Sequence, residues 1–399
     1  MPTLNEKAAS LGASRSAIRE LFEYGKSRSL EAGGDKICDF SLGNPSAPPP
    51  AELRAAYFEA LSSLAPKDLH GYTSAAGDFE TRKAIADAIT TEESFEVLPE
   101  NMFLTTGAAA ALCAVFFALT SSPGDEFAGF SPFFPEYRVF AGVAGGVFVA
   151  VSADTKNFQI NFEALESAIN EKTRAVVINS PNNPSGAVYT KETIKTLAGI
   201  LKKKSALFGH TIYIVTDEPY RELVYGGVTP PFVPKYYDDT IICYSYSKRF
   251  SIPGERLGYA LVNSRASDCR RVYNAIAGGA RVLGHVCAPS LVQKVIARSA
   301  RLKPDMTVYA KNREILYENL TKMGYTCAKP DGAFYLFVKS PFGSGAAFSA
   351  KAKEKDILVV DGATFGCPEF VRIAYCVDTS VCERSLPAFE ELIKGGRGK

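Results

Sequence analysis

The chain predicts an α/β protein in which a mostly parallel sheet lies between layers of helices, followed by a smaller α+β lobe. Three observations lead there. Short apolar runs alternate with stretches of helical periodicity through the middle of the chain. Those runs are rich in β-branched and aromatic residues, as strands buried on both faces are. After about Ala288 the alternation gives way to long helices and then to short strands.

Residues 102–105 form a short apolar strand, and residues 108–119 the buried helix that follows it. Residues 125–130 and 146–151 are strand candidates. The runs AVVIN (175–179), IYIVT (212–216) and TIICYSY (240–246) read as buried strands, with helical spacing over 190–205 between them. Parallel neighbours require crossovers, and helices supply them. In the last third, residues 290–300 and 306–323 are long helices, the second stopped by Gly324. Short strands at 333–338, 357–360 and 371–375 and a final helix complete the chain. The expected division is 1–45 as an N-terminal arm with part of the small domain, 46–288 as the large domain and 289–399 as the small domain. A cleft between two lobes is the expected place for a ligand.

Bulk properties narrow the function. The 399 residues are 46% hydrophobic and 22% charged, ordinary values for a globular chain. A formal net charge of +2 favours neither nucleic acid nor an anionic membrane as partner. The densest basic run, Lys202 to Lys204, reads as a solvated helix end. No apolar stretch near the N-terminus has the form of a signal peptide, and the longest apolar run falls short of the roughly 20 residues a membrane span needs. Nine cysteines lie scattered without a CxxC pair or metal spacing. They read as buried thiols in a reducing compartment, so a cytoplasmic location without a metal site is expected.

In parallel α/β sheets ligands gather at the carboxyl ends of the strands. The residues at those ends are Thr106-Gly107-Ala108-Ala109, Phe133-Phe134, Asn182-Asn183-Pro184, Asp217-Glu218-Pro219-Tyr220 and Ser245-Tyr246-Ser247-Lys248. Each group is small, polar or aromatic after an apolar run, and five together point to one site. Lys248 stands out because the strand before it is apolar and Arg256 follows eight residues later. A lysine desolvated beside another cation loses proton affinity and becomes a usable nucleophile, suited to a Schiff base with an aldehyde cofactor.

SxSK with Arg eight residues on, preceded by NNPSG and DEPY, is a specific combination. With it the chain resembles the class I/II aminotransferase family, fold-type I pyridoxal-phosphate enzymes, in order from Ser41-Leu42-Gly43-Asn44-Pro45 to Phe370-Val371-Arg372-Ile373. The resemblance implies a seven-stranded sheet in the large domain and pyridoxal 5′-phosphate bound through Lys248. It implies that Asp217 pairs with the pyridine nitrogen, that Tyr220 and Asn183 reach the phenolic oxygen, and that Phe134 stacks on the ring. Ser245, Ser247, Arg256 and the backbone N–H groups of Ala108 and Ala109 are the implied phosphate contacts. Relatives often carry glycine or a polar residue where this chain has the two alanines, which leaves only backbone donors there. Arg372, with Gly43 and Asn183, is the implied clamp for the substrate α-carboxylate. Tyr72 matches a tyrosine that reaches the partner's phosphate across a homodimer.

The reaction so implied is ping-pong transamination between an L-amino acid and a 2-oxo acid, with glutamate and 2-oxoglutarate as one pair. Lys248 takes the substrate Cα proton as base and returns it to the cofactor's C4′ carbon as acid, and Asp217 and Tyr220 complete the catalytic set. A C–S β-lyase, decarboxylase or racemase would use nearly the same residues. An effector-binding module of a regulator is disfavoured, because the match begins by residue 41. The donor's side chain stays open between acidic, aromatic and aliphatic. Arg138 and Arg281 are candidates for a distal carboxylate, while Phe133, Phe134 and Tyr137 would suit a bulky group.

Overall fold

A computed structural model describes residues 3–13, 17–32, 36–152 and 154–396. Met1 and Pro2 of the expected arm lie outside the described residues. The chain forms two compact units. The larger comprises Pro45–Met306 with Pro330–Ala333, and the smaller comprises Met1–Asn44, Thr307–Lys329 and Phe334–Lys399.

The smaller unit opens with helices Glu6–Ala13 and Ala17–Ala32, neither of them expected from the sequence, and strand β1 (Cys38–Asp39). The larger unit holds β2 (Met102–Thr105), β3 (Glu126–Phe130), β4 (Val147–Val151) and β5 (Thr173–Asn179). It continues with β6 (Tyr213–Asp217), β7 (Thr240–Ser245) and β8 (Gly258–Val262). These seven strands form one sheet in the order β2-β8-β7-β6-β5-β3-β4. Only β8 runs antiparallel to its neighbours, so the sheet is mostly parallel as expected.

Alternation along each strand explains why helices cover both faces. Phe103, Val215, Ile241 and Ala260 pack into one apolar cluster, while their neighbours Leu104, Ile242 and Leu261 pack into another. Fully burying each large side chain of this kind contributes about 1.5–3 kcal/mol. Helix Ala108–Leu119 packs on Cys269–Val282 over the first face. On the second, helix Ser290–Ser299 packs on Ala51–Ser63 and Phe79–Glu93.

That last helix corrects the expected boundary at 288/289. Val292, Val295 and Ile296 belong to the core of the larger unit, which therefore runs on to Met306. Strand β8 is also new. It begins at Gly258, where a Cβ would lie 2.8 Å from the Gly107 Cα, so the close approach of two backbones fixes a glycine there.

In the smaller unit β1 pairs in parallel with β10 (Ile357–Leu358). Strands β9 (Tyr335–Lys339), β11 (Val360–Asp361) and β12 (Phe370–Ala374) form an antiparallel sheet with β12 in the middle. The single strand expected over 357–360 is thus two, with Val359 passing from one sheet to the other. Among the described residues no helix is long and apolar enough to cross a membrane.

Candidate active site

Parallel register sets the floor of the site. Asn179, Asp217 and Cys243 lie side by side at the carboxyl ends of β5, β6 and β7. The Asn179 side chain donates to the Asp217 backbone carbonyl at 2.8 Å and accepts from the Asn183 N–H at 2.7 Å. One asparagine at a strand end thereby joins the NNPSG turn to DEPY. The second asparagine serves the turn itself, since Asn182 Oδ1 accepts from the Ser185 N–H and hydroxyl.

Asp217 is 4% exposed. The Tyr137 hydroxyl donates to its Oδ2 at 2.6 Å, while its Oδ1, equally buried, has no hydrogen-bond partner among the described residues. Burial pushes the Asp217 carboxyl up to about 7, with the Tyr137 hydrogen bond opposing that rise and the Glu218 charge adding to it. Burial, with the Asp217 charge, also holds the Tyr137 hydroxyl well above the usual phenol range, so it stays a donor. A buried acceptor left open costs about 1–3 kcal/mol, and a ring N–H set against it removes that cost. The pyridinium nitrogen of pyridoxal phosphate is such a donor.

A second cluster suits an anion. Ser245 caps the short helix Tyr246–Arg249, accepting from the Ser247 N–H, and its hydroxyl donates to Ser247 Oγ at 2.9 Å. Arg256 donates to the same Ser247 Oγ at 3.1 Å and to the Thr106 carbonyl at 3.1 Å. Gly107 precedes helix Ala108–Leu119 with φ +96°, and the Thr105 hydroxyl holds its carbonyl at 2.9 Å. Free N–H groups at Ala108 and Ala109, two hydroxyls and a guanidinium therefore lie around one helix N-terminus, the donor set a phosphate requires. A Cβ at Gly107 would lie 2.6 Å from Arg256 Nη2. Gly107→Ala is accordingly expected to weaken cofactor binding by about 5–30-fold, a penalty of about 1–2 kcal/mol in left-handed backbone; equilibrium dialysis measures it.

Lys248 is half-buried on the short helix Tyr246–Arg249, directly after β7. Tyr220 is buried in the turn after β6. Phe134 is half-buried, its ring edge-on to Tyr137 at 5.6 Å, whereas Phe133 is buried against Phe148. Tyr72 stands 90% exposed. Gly43 and Arg372 belong to the smaller unit. There Arg372 is 2% exposed in β12 and donates to the Ser41 carbonyl at 2.5 Å. Its guanidinium lies over the rings of Tyr335 (4.8 Å) and Phe365 (5.0 Å). It is therefore a buried cation with two aromatic faces for a seat, unlike the usual strand arginine at a surface.

Sequence reasoning placed Tyr137 only among aromatic surroundings and passed over Asn179. Nothing local marks either one. Tyr137 lies 80 residues from the carboxylate it serves, and Asn179 is the last residue of an ordinary apolar run.

Residues 35–389 match the family described as aminotransferase class I and II. The aspartate aminotransferase of Thermotoga maritima is 31% identical over 376 residues, covering 92% of this chain and 94% of its own length. The structure of an amino transferase from Eubacterium rectale superposes with a TM-score of 0.97 at 51% identity, covering all of both chains. That of the Thermus thermophilus aspartate aminotransferase with maleate gives 0.84 at 26% identity, covering 98% of this chain and all of its own. The chain belongs to the class I and II aminotransferases. It is an enzyme of fold type I, its cofactor is pyridoxal 5′-phosphate and its reaction is transamination.

Proposed function

We propose that this enzyme exchanges the amino group of aspartate or glutamate with 2-oxoglutarate or another 2-oxo acid by a ping-pong route. The observation that carries the site assignment is Asp217, a buried carboxyl with one oxygen held by Tyr137 and the other open. When bound, pyridoxal phosphate supplies an aldehyde for amine capture and a ring that withdraws electrons from the substrate Cα. Asp217 Oδ1 would accept from the cofactor's ring N–H, a cation that favours the ionised carboxylate. Ser245, Ser247, Arg256 and the N–H groups of Ala108 and Ala109 hold the phosphate. Phe134 would cover one face of the ring, while Tyr220 and Asn183 would donate to its phenolic oxygen.

Lys248 Nζ would hold the cofactor's aldehyde carbon, and as a free amine it would take the substrate Cα proton. Arg372 would bind the substrate α-carboxylate through two parallel N–H bonds, and Gly43 N–H and Asn183 are its further proposed donors. Its seat on Tyr335 and Phe365 fixes the fork in advance. A homodimer is proposed as well. A single chain leaves Tyr72, Phe58 and Val286 at 60% exposure or more, and Tyr72 is the residue proposed to reach a partner's phosphate. None of the nine cysteines is in a disulfide, which supports a cytoplasmic location.

The dicarboxylic substrate rests on the relatives, which are named aspartate aminotransferases, and on maleate, a dicarboxylate, in the Thermus structure. Amino acids are tested one at a time against the loaded enzyme by the absorbance change as its cofactor takes up the amino group. Aspartate and glutamate are expected to react fastest, and an aromatic or aliphatic donor in front would overturn the substrate assignment. Arg372→Ala should weaken every donor by roughly 10–150-fold, the 1.5–3 kcal/mol of a charged hydrogen bond, and leave the cofactor bound. Release of the cofactor with donor affinity intact would reassign Arg372.

A further inference from the structure

Next to the candidate reactive residues lies a buried ion network that the assigned chemistry does not use. Glu222 stands two residues after Tyr220, and Arg249 one residue after Lys248. Arg249 Nη1 donates to Glu222 Oε1 at 3.0 Å, and the Tyr244 hydroxyl reaches both oxygens of the same carboxylate at 2.8 and 2.9 Å. Glu222 is thus gripped from two points on the segment that carries Lys248, one before it and one after.

Arg249 is itself held on every side. Its Nε donates to the Leu302 carbonyl at 3.0 Å, and Nη2 to the carbonyls of Leu302 (2.6 Å) and Ala300 (3.1 Å). The residue is 8% exposed, and the side chain of Glu222 is 14% exposed. Neighbouring charges are balanced among themselves. Arg221 pairs with Glu218 at 3.1 Å and with Glu93 at 2.6 Å, and Lys235 pairs with Glu93. Tyr246 and Tyr259 line a small cavity together with Glu222 and Arg249. Burial and the Glu222 charge keep the Tyr244 hydroxyl well above the phenol range, so it remains a donor throughout.

We propose that Glu222 and Arg249 are positioning residues of the transamination: their ion pair bolts the turn carrying Tyr220 to the helix carrying Lys248. It thereby sets where the phenol and the amine stand relative to each other. Stability alone is a poor reason for the pair, because an apolar pair of equal volume serves a core as well or better. Geometry is the better reason, since a planar guanidinium with fixed acceptors on three sides has one orientation. The inference rests on the reading in which Lys248 holds the cofactor and Tyr220 faces it.

The test uses loaded enzyme and the variants Glu222→Gln, Arg249→Met and Arg249→Lys. Arg174→Met is the control; it breaks another ion pair, half-buried Arg174 with buried Asp125 at 2.9 Å, at the amino ends of β3 and β5. Urea melts match the variants for lost stability. A displacement of the two groups by about 1 Å costs roughly 100-fold in turnover. Glu222→Gln and Arg249→Met are therefore expected to lower kcat by about that factor with little change in KM. They should also shift the pH midpoint of the bound cofactor's absorbance by about one unit, tenfold in its protonation equilibrium. Arg249→Lys, which keeps the charge and loses the fork, should recover only part of both, and the control should move neither.

If Glu222→Gln and Arg249→Met lose stability like the control yet keep kcat and the pH midpoint, the pair is structural and the inference falls. If Arg249→Met does not fold, Glu222→Gln, nearly the same shape, carries the test with the same expected values. Absence of a borohydride-reducible adduct at Lys248 in the unaltered enzyme would instead sink the underlying reading, a result distinct from either.

Discussion

Lys248→Ala will turn over at least about 10⁴-fold more slowly than the unaltered enzyme, the upper end of what one general acid–base group contributes. The loss reaches that end because one side chain has two tasks, attachment and proton transfer. Without the amine, the aldehyde of pyridoxal phosphate has no lysine at this position to capture it. The hydroxyls of Ser245 and Ser247 and the Arg256 guanidinium do not depend on Lys248 for their mutual hydrogen bonds. The variant should therefore still bind the cofactor, but reversibly. Borohydride reduction followed by peptide mapping gives the readout: a pyridoxyl group on Lys248 in the parent and none in the variant. A pyridoxyl group recovered from any other lysine would move the site.

Asp217→Asn will lower kcat by about 10²–10³-fold, the usual loss when one oriented electrostatic group is taken from a site. It will also change how stability varies with pH. In the cofactor-free chain the carboxyl sits at about 7, well above its ordinary 3.8, because burial penalises its charge. Between those two values the folded chain keeps a proton that the unfolded chain has released. Stability from this group is therefore full below about pH 4 and is lost as pH rises through 7. The three-unit difference corresponds to about 4 kcal/mol. Asparagine has no proton to lose at either value. Urea melts of cofactor-free protein at pH 5 and pH 8 should show a decline for the parent that the variant lacks. Parallel curves would mean that the carboxylate is ionised in its pocket without the cofactor.

Where a signal was confined to neighbours in the chain, the sequence revealed it. The β-branched runs gave β5, β6 and β7 to within two residues, because a strand buried on both faces must be apolar along its whole length. The groups after those strands became the candidate site because parallel strands bring their carboxyl ends to one edge. β8 escaped because it starts at a glycine, runs antiparallel and follows the polar stretch Gly254-Glu255-Arg256. The opening helices escaped for another reason: helix Glu6–Ala13 buries no residue, so no apolar stripe marks it. Tyr137, Asn179, Glu222 and Arg249 escaped because each acts on a partner from another segment. Hydrogen bonds between distant segments leave no periodicity to read.

One feature of the smaller unit bears on how the protein is made. Strand β1 finds its only sheet neighbour among the described residues in β10, where Cys38 lies opposite Ile357. A ribosome adding about 5–20 residues each second needs roughly 15–65 seconds to travel from one to the other. By the end of that interval the larger unit is complete, its last residues being Pro330–Ala333, while the opening segment still waits with an unpaired edge. Nascent chains stalled before Ile357 should accordingly be the ones a holding chaperone retains.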